Sequence, residues 1–226
     1  MRAAWQRLTH STKFLMPTKG AAMEKTTTFV RRGILAGLVA VCACMLSLAF
    51  TACGPSDEDQ AKEALDAQLG QLVNPSDDTI AKLSNEMSSA NSSSFSMLNM
   101  DSTAFVKSWL NGFSYELGDV KVDGNTATVN ASITCKQLYV IMTSWSDTFE
   151  SDALNQQFSS IDEVYTYAGK TFMDAIDGAD PVTTQVTFTM EKDGGDWTYD
   201  SGNTDNDQAL ADALLGGGAD ASFFQN

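Results

Sequence analysis

The side chains that could carry out catalysis are unevenly distributed along the 226 residues of this chain. The single histidine, His10, lies in a basic N-terminal stretch, and an apolar segment from Gly33 to Ala52 separates it from everything downstream. The downstream chain therefore has no imidazole to act as a general base, to activate a nucleophile or to bind a transition metal. We expect no catalytic residue, no metal site and no bound cofactor.

Carboxylates are the remaining groups that could do chemistry. The segment from Asp200 to Asp207 is rich in oxygen ligands, as a calcium loop is, but counting from Asp200 or Asn203 puts no Gly at position six and no Glu at position twelve. Capping of a following helix explains these residues more simply. A hydrolase that uses two facing carboxylates stays an alternative, although nothing in the sequence singles out one pair.

The apolar segment Gly33–Ala52 follows Arg31 and Arg32, which is the pattern of an export signal. An uncleaved transmembrane helix is the alternative, because about 20 apolar residues span a bilayer. Both readings place the chain after Cys53 outside the cytoplasm, since basic residues stay on the cytoplasmic side. The arginine pair also resembles a twin-arginine signal, so the sequence does not decide between the general secretory and the twin-arginine export route. Translation could begin at Met1 or at Met23.

Cys53 directly follows Phe50-Thr51-Ala52, and this tetrapeptide resembles the lipobox of bacterial lipoproteins. The resemblance implies that residues 1–52 are removed and that Cys53 receives acyl chains such as palmitate. Two such chains would hold the protein on the lipid bilayer, because each buried methylene contributes about 0.8 kcal/mol. Cleavage before Cys44 is the weaker alternative. After cleavage before Cys53, residues 53–59 form the lipidated cysteine and a polar tether.

The charge of the chain after Ala52 is strongly negative. It holds seven lysines, no arginine and 28 acidic residues, a formal charge of 7 − 28 = −21. Nucleic acid is excluded as a partner, because binding to phosphates needs a basic face. Cys135 is the only cysteine beyond Cys53, so we expect it to be a buried strand residue and neither a nucleophile nor half of an intramolecular disulfide.

Helical periodicity predicts five or more helices in residues 60–215. The first runs from about Asp59 to Leu72, the second is capped at Ser76, and Ser102 caps a third that carries Phe105, Trp109 and Phe113 as core residues. The serine-rich run Ser88–Ser96 is expected to be a loop or a frayed end. Further helices occupy Leu138–Ile176, broken near Ser159-Ser160 or around Ser151-Asp152, and Asp205–Leu215.

Two hairpins interrupt these helices. The first runs from about Tyr115 to Lys136, with Asp123-Gly124 as its turn and a bulge at Gly118, and Ala127, Val129, Ala131, Ile133 and Cys135 alternate on its second strand. The second begins near Val182 and turns at Asp193–Asp196. Residues 216–226 follow as a flexible tail.

The hairpin sequence Gly118–Val129 resembles that of uncharacterised bacterial lipoproteins with a cystatin-like or nuclear-transport-factor-two-like domain. The resemblance implies an α+β fold in which helices pack on one face of a curved antiparallel sheet of about four strands. It carries over no catalytic residue.

Two non-enzymatic functions are consistent with these features. The first is a membrane-anchored lipoprotein, facing outside the cytoplasm, that binds an unknown small molecule, a peptide or another envelope protein. The second is a structural or assembly factor without a ligand pocket, which a core filled by Trp109, Trp145, Phe158 and Phe188 would indicate. The ligand-binding residues are not predictable from the sequence.

Overall fold

The computed structural model describes residues 56–199 and 203–216, which form six α-helices and one four-stranded sheet. The elements in chain order are α1 (Asp57–Val73), α2 (Asp77–Met97), α3 (Ser102–Leu110), β1 (Ser114–Asp123), β2 (Thr126–Cys135), α4 (Leu138–Leu154), α5 (Ile161–Asp177), β3 (Val182–Asp193), β4 (Asp196–Tyr199) and α6 (Thr204–Leu215). The strands pair in the order β1-β2-β3-β4, and all pairs are antiparallel. The predicted α+β class is confirmed, whereas its cystatin-like character stays a prediction.

The sheet has one buried face, as the alternating pattern of β2 predicts. Ala127, Val129, Ala131, Ile133 and Cys135 are all at most 1% exposed, and Phe188 and Met190 of β3 are fully buried beside them. Helix α1 packs on β1 and β4, and α6 packs on β3 and β2. The core therefore lies between the sheet and its helices. No helix in the described ranges is long and apolar enough to cross a membrane, and the segment 33–52 lies outside these ranges.

Local signals place both hairpins correctly. Gly124 has a φ of 62°, the left-handed conformation that the predicted turn after Asp123 requires. The pairing of β1 with β2 shifts between Leu117 and Val120, so the predicted bulge at Gly118 is confirmed. The bulge brings the apolar residues of both halves of β1 to the same face of the sheet.

Helix caps confirm two predicted boundaries and move a third. Ser76 and Ser160 accept hydrogen bonds from Thr79 N and Glu163 N, so α2 starts as predicted and α4 and α5 are separate helices. Helix α3 is capped by Asp101 instead of Ser102, because the Asp101 carboxylate accepts a 2.6 Å hydrogen bond from Ala104 N. The predicted boundary is therefore wrong by one residue.

Ser88–Ser96 is helical and not the predicted loop or frayed end, because α2 continues to Met97. Phe95, near the end of this helix, packs edge-on against Phe105 of α3 with ring centroids 5.5 Å apart. Serine disfavours a helix relative to alanine by only about 0.5 kcal/mol per residue, so tertiary packing of this kind can override it.

The predicted tether is shorter than expected. Helix α1 begins at Asp57, where Ser56 and Asp59 form a reciprocal capping box, and it ends at Val73. The folded domain therefore starts at residue 57 instead of residue 60. Cys53, the leader and residues 217–226 lie outside the described residues.

The aromatic residues form two groups, which meet at Phe172. Trp109 and Phe188 are at most 1% exposed and belong to the core, together with Phe105 and Phe113. Trp145 and Phe158 are only half-buried, so the four aromatic residues that would indicate a domain without a pocket do not together fill one core. Trp145 and Phe158 belong to a second cluster between α4 and α5, in which Trp145 stacks on Phe149 at 5.1 Å and Phe158 contacts Tyr167 at 5.5 Å.

Gly169 lets α5 approach the loop after α2 closely. A Cβ atom at this position would lie 2.0 Å from the backbone oxygen of Leu98 and 3.1 Å from Met100 Cγ. The oxygen belongs to the main chain, so the clash cannot be relieved by a side-chain rotation. Only glycine fits this contact without moving one of the two segments.

We expect Gly169→Ala to lower the free energy of unfolding by about 2–3 kcal/mol, the cost typical of overpacking. Urea denaturation followed by far-ultraviolet circular dichroism would measure it. Gly70→Ala is the matched control, since its Cβ would meet only Tyr115 Oη at an ordinary 3.4 Å in α1. The control should keep or raise stability, because alanine favours a helix. Equal effects of the two substitutions would contradict the close contact at Gly169.

Candidate functional site

The predicted lipidation site lies just before the folded domain. Cys53 is outside the described residues, but α1 begins only four residues later, at Asp57. Four residues span at most about 14 Å when fully extended. An acylated Cys53 would therefore hold the start of α1 close to the lipid headgroups.

Asp57, the first residue of α1, hydrogen-bonds to side chains of the second hairpin, β3–β4. Its Oδ1 atom accepts hydrogen bonds from Lys192 Nζ at 2.5 Å and from Trp197 Nε1 at 3.2 Å. These two hydrogen bonds hold the pKa of the Asp57 carboxyl below its ordinary value, and the bond from Lys192 has the larger effect. Lys192 Nζ also lies 5.5 Å from the centroid of the Trp197 ring, within range of a cation–π contact.

Both hairpin turns lie at this same end of the sheet. The backbone N–H of Lys192 donates a 2.8 Å hydrogen bond to the carbonyl oxygen of Asn125, which joins the β3–β4 hairpin to the β1–β2 turn. Three exposed aspartates, Asp123, Asp193 and Asp196, occupy the two turns. The end of the domain nearest Cys53 is thus acidic, and it would be repelled by an anionic membrane surface.

A cleft of about 440 Å³ opens beside this end, between the first turn of α1 and the bulge of β1. Lys62 Nζ donates a 3.3 Å hydrogen bond across it to the carbonyl oxygen of Gly118. The lining residues are mostly charged: Glu58, Asp59, Lys62, Gly118, Asp119, Val120 and Lys121. A cleft of this composition is unsuited to a small apolar molecule, which needs a mainly hydrophobic lining.

The second face of the sheet carries polar side chains in an ordered array. Side chains of β2 and β3 hydrogen-bond in directly opposed pairs: Thr134 with Thr183 at 2.7 Å, Ser132 with Gln185 at 2.7 Å, and Asn130 with Thr187 at 2.9 Å. We call this set the polar ladder. Its members are exposed or half-buried, so they face solvent opposite the helices.

Cys135 lies in the core, as predicted, and is 1% exposed. Its Sγ atom donates a 3.2 Å hydrogen bond to the carbonyl oxygen of Ala213, and burial raises its pKa to about 12. A thiol with this pKa is not a nucleophile at neutral pH. In the described part of the chain, no group of three or more potential metal ligands occurs.

Asn203 caps α6 in the way the sequence indicates. Its side-chain oxygen accepts hydrogen bonds from the backbone N–H groups of Asp205 and Asn206. Residues 200–202, the start of the segment compared with a calcium loop, lie outside the described ranges.

Sequence reasoning missed two buried polar residues that organise the domain. Lys136 is 3% exposed, and its ammonium group donates to the carbonyl oxygens of Ser108 at 3.1 Å and Ile176 at 2.8 Å. Asn206 is fully buried and binds the backbone of β3 at Thr189. Both act on segments far away in the sequence, so no local pattern signals them.

One solved structure resembles this chain at low sequence identity. No protein-family model matches this sequence, and no curated protein matches it. A crystal structure of YcdA, assigned as a lipoprotein of Bacillus subtilis, is similar over 70% of this chain with 16% sequence identity and a TM-score of 0.46. The matched region spans 56% of the length of that protein.

Proposed function

We propose that this chain is a lipoprotein held on the outer side of the cell membrane by acyl chains on Cys53. Its domain serves as a non-enzymatic module that contacts another protein of the cell envelope. The anchor is supported by the export signal and the lipobox-like residues before Cys53, and by the short distance from Cys53 to the first helix.

The core of the domain is filled, which favours a function in protein contact and disfavours a function as carrier of a small apolar molecule. Residues that point from the sheet toward the helices are closely covered: Val129, Ile133, Phe188 and Met190 are fully buried. The cleft beside the bulge of β1 has a charged lining. Ligand carriers need an apolar cavity of several hundred Å³, and this combination does not resemble one.

The polar ladder is the observation that carries the proposal. Cross-strand hydrogen bonds hold its side chains in fixed positions, so a partner that binds this face orders few additional rotamers. The face is polar and lies opposite the helices, as in sheets that present one side to solvent. The missing imidazole downstream of Cys53 and the inaccessible Cys135 support a non-enzymatic role.

We expect Cys53→Ala to abolish acylation, because the variant lacks the thiol that would receive the lipid. Cells that express it would be fed a clickable palmitate analogue, and the purified protein would be tested for label and for mass. The variant should carry no label and should keep its leader. Cys135→Ala is the control and should be labelled like the natural protein. Normal labelling of Cys53→Ala would contradict the anchor.

The contact face can be tested independently of the anchor. A photo-crosslinking amino acid at Asn130, an exposed member of the polar ladder, should give a discrete crosslinked product on intact cells. The same amino acid at Asp162, exposed on α5, serves as the control and should give none. Equal products at both positions, or none at Asn130, would contradict the proposed face.

A further inference from the structure

Strand β3 has an open edge next to the polar ladder. Strand β4 pairs only with Met190–Asp193, whereas β2 pairs with the whole length of β3. The segment Val182–Thr189 therefore has a strand partner on one side only, among the residues that the structure describes. Such an edge presents a row of backbone N–H and C=O groups to which another strand can bind.

Asn206 closes one end of this open edge. Its side-chain amide accepts a 2.7 Å hydrogen bond from the N–H of Thr189 and donates a 2.8 Å hydrogen bond to the carbonyl oxygen of the same residue. A single buried side chain thus supplies both hydrogen bonds that a neighbouring strand would make. The backbone groups of Thr189 must point away from β2.

Alternation along the strand identifies the other outward groups. In an antiparallel ladder every second residue directs its N–H and C=O to the same side. The backbone N–H and C=O groups of Thr187, Gln185 and Thr183 therefore point outward, as those of Thr189 do. Pro181, which directly precedes β3, has no N–H to donate. The open edge consists of three residues, bounded by the Asn206 contact at one end and by a proline at the other.

Helix α6 leaves these three residues uncovered. It lies at the edge where Asn206 meets Thr189, but its later residue Ala213 contacts Cys135 of β2. The helix thus crosses beneath the sheet from the edge toward β2. Thr183, Gln185 and Thr187 are exposed, and Val182 at the end of the edge is 44% exposed.

We infer that Thr183–Thr187 binds an extended peptide segment of a partner protein, which adds to the sheet as a fifth strand. The segment would be uncharged where it lies against the edge and would carry Lys or Arg at its flanks. This inference rests on the proposed contact function and specifies how one class of partner is recognised.

Charge selects this occupant over two others. The segment Val182–Thr189 has no charged residue, but exposed Asp180 precedes it and exposed Asp205 lies beside its other end, close to Asn206. A basic flank on the partner would meet an acid at each end. A second copy of the chain is itself strongly acidic, and the segment 217–226 carries Asp220 and no basic residue, so both are disfavoured by like charge.

A synthetic peptide tests the inference directly. The probe is fluorescein-labelled Lys-Lys-Thr-Val-Thr-Val-Thr-Lys-Lys, added to the full-length protein in neutral detergent micelles and followed by fluorescence anisotropy. We expect saturable binding that weakens as salt is raised, since salt screens the flanking charges. The peptide with Glu in place of every Lys should bind about tenfold more weakly or not at all. No binding of the Lys peptide, or equal binding of both peptides, would overturn the inference.

Amide hydrogen exchange locates the bound peptide. The N–H groups of Thr184 and Val186 already face β2, so their exchange should not change. The N–H groups of Thr183, Gln185 and Thr187 should exchange about tenfold more slowly when the Lys peptide is present. If these groups are already protected without peptide and deletion of 217–226 exposes them, the tail is the occupant and the inference is wrong. Protection that rises with protein concentration alone would identify a second copy and would also overturn it.

A pair of variants separates the backbone of the edge from the side chain. Gln185→Ala and Gln185→Pro both remove the hydrogen bond to Ser132, but only the proline also removes the outward N–H. The proline variant should bind the Lys peptide about tenfold more weakly than the alanine variant, because the two differ in the outward N–H. Equal affinities in two folded variants would contradict strand addition. If the proline variant does not fold, the exchange pattern of the natural protein decides the question.

Crosslinking at Asn130 does not depend on this edge. If the peptide does not bind, the proposed contact face is therefore still supported by a crosslinked product at Asn130.

Discussion

Replacing Trp109 with alanine is expected to lower the free energy of unfolding by about 3–5 kcal/mol, as truncation of a buried aromatic does. The Trp109 side chain is 1% exposed and lies 6.2 Å from the Phe105 ring between centroids. Its Nε1 atom donates a 2.9 Å hydrogen bond to the carbonyl oxygen of Lys136. The substitution would open a cavity and leave that buried oxygen without its donor.

Urea denaturation followed by far-ultraviolet circular dichroism measures this loss without relying on tryptophan fluorescence. Trp145→Ala is the matched control, because Trp145 is half-buried and its Nε1 donates to the side chain of Thr171. We expect the control to lose less than half as much stability. A Trp109→Ala variant as stable as the natural protein would show that Trp109 is not a core residue.

Lys136→Met is expected to cost about 3 kcal/mol, the second large effect on stability. The Lys136 ammonium group joins the carbonyl oxygens at the ends of two helices: Ser108 of α3 and Ile176 and Asp177 of α5. Helix ends leave such oxygens without intrahelical partners. The Ile176 oxygen also accepts a 3.3 Å hydrogen bond from Ala179 N, but loss of the ammonium donor from this buried site is costly. Methionine keeps the length of the side chain but cannot donate a hydrogen bond.

Lys170→Met provides the control for loss of a positive charge. Lys170 is exposed on α5 and pairs with Asp174 four residues later, a surface contact that water and salt screen. Both variants would be compared by urea denaturation in the same buffer. Equal losses would mean that charge alone matters, and they would contradict a specific role for the buried Lys136 contacts.

Local chemistry explains why much of the fold was predictable. The turn at Asp123-Gly124 depends on one glycine at positive φ, and the bulge depends on a change of parity around Gly118 within a single strand. The break between α4 and α5 depends on Ser160, which caps α5 with its own side chain. Each of these features is decided by residues within a few positions of one another.

The mistaken predictions have a tertiary origin. Ser88–Ser96 has a weak helical propensity, yet α2 extends through it and Phe95 packs on Phe105. Trp145 and Phe158 have the same helical spacing as core residues, but they are half-buried in a cluster between α4 and α5 that meets the core at Phe172. Periodicity shows that a helix has an apolar face, but it does not show how deeply that face is buried.

The sequence by itself determined the α+β class, the lack of a histidine downstream of His10, the strong acidity after Ala52, and Cys53 as the candidate for lipidation. These conclusions follow from composition and from contacts between close neighbours in the chain. Only the tertiary structure decided the roles of Lys136 and Asn206, the order of the polar ladder and the open edge of β3. Those features join atoms 17 to 57 residues apart in the sequence. They depend on which polar groups are buried and which are left exposed, and the packing of the whole fold decides this.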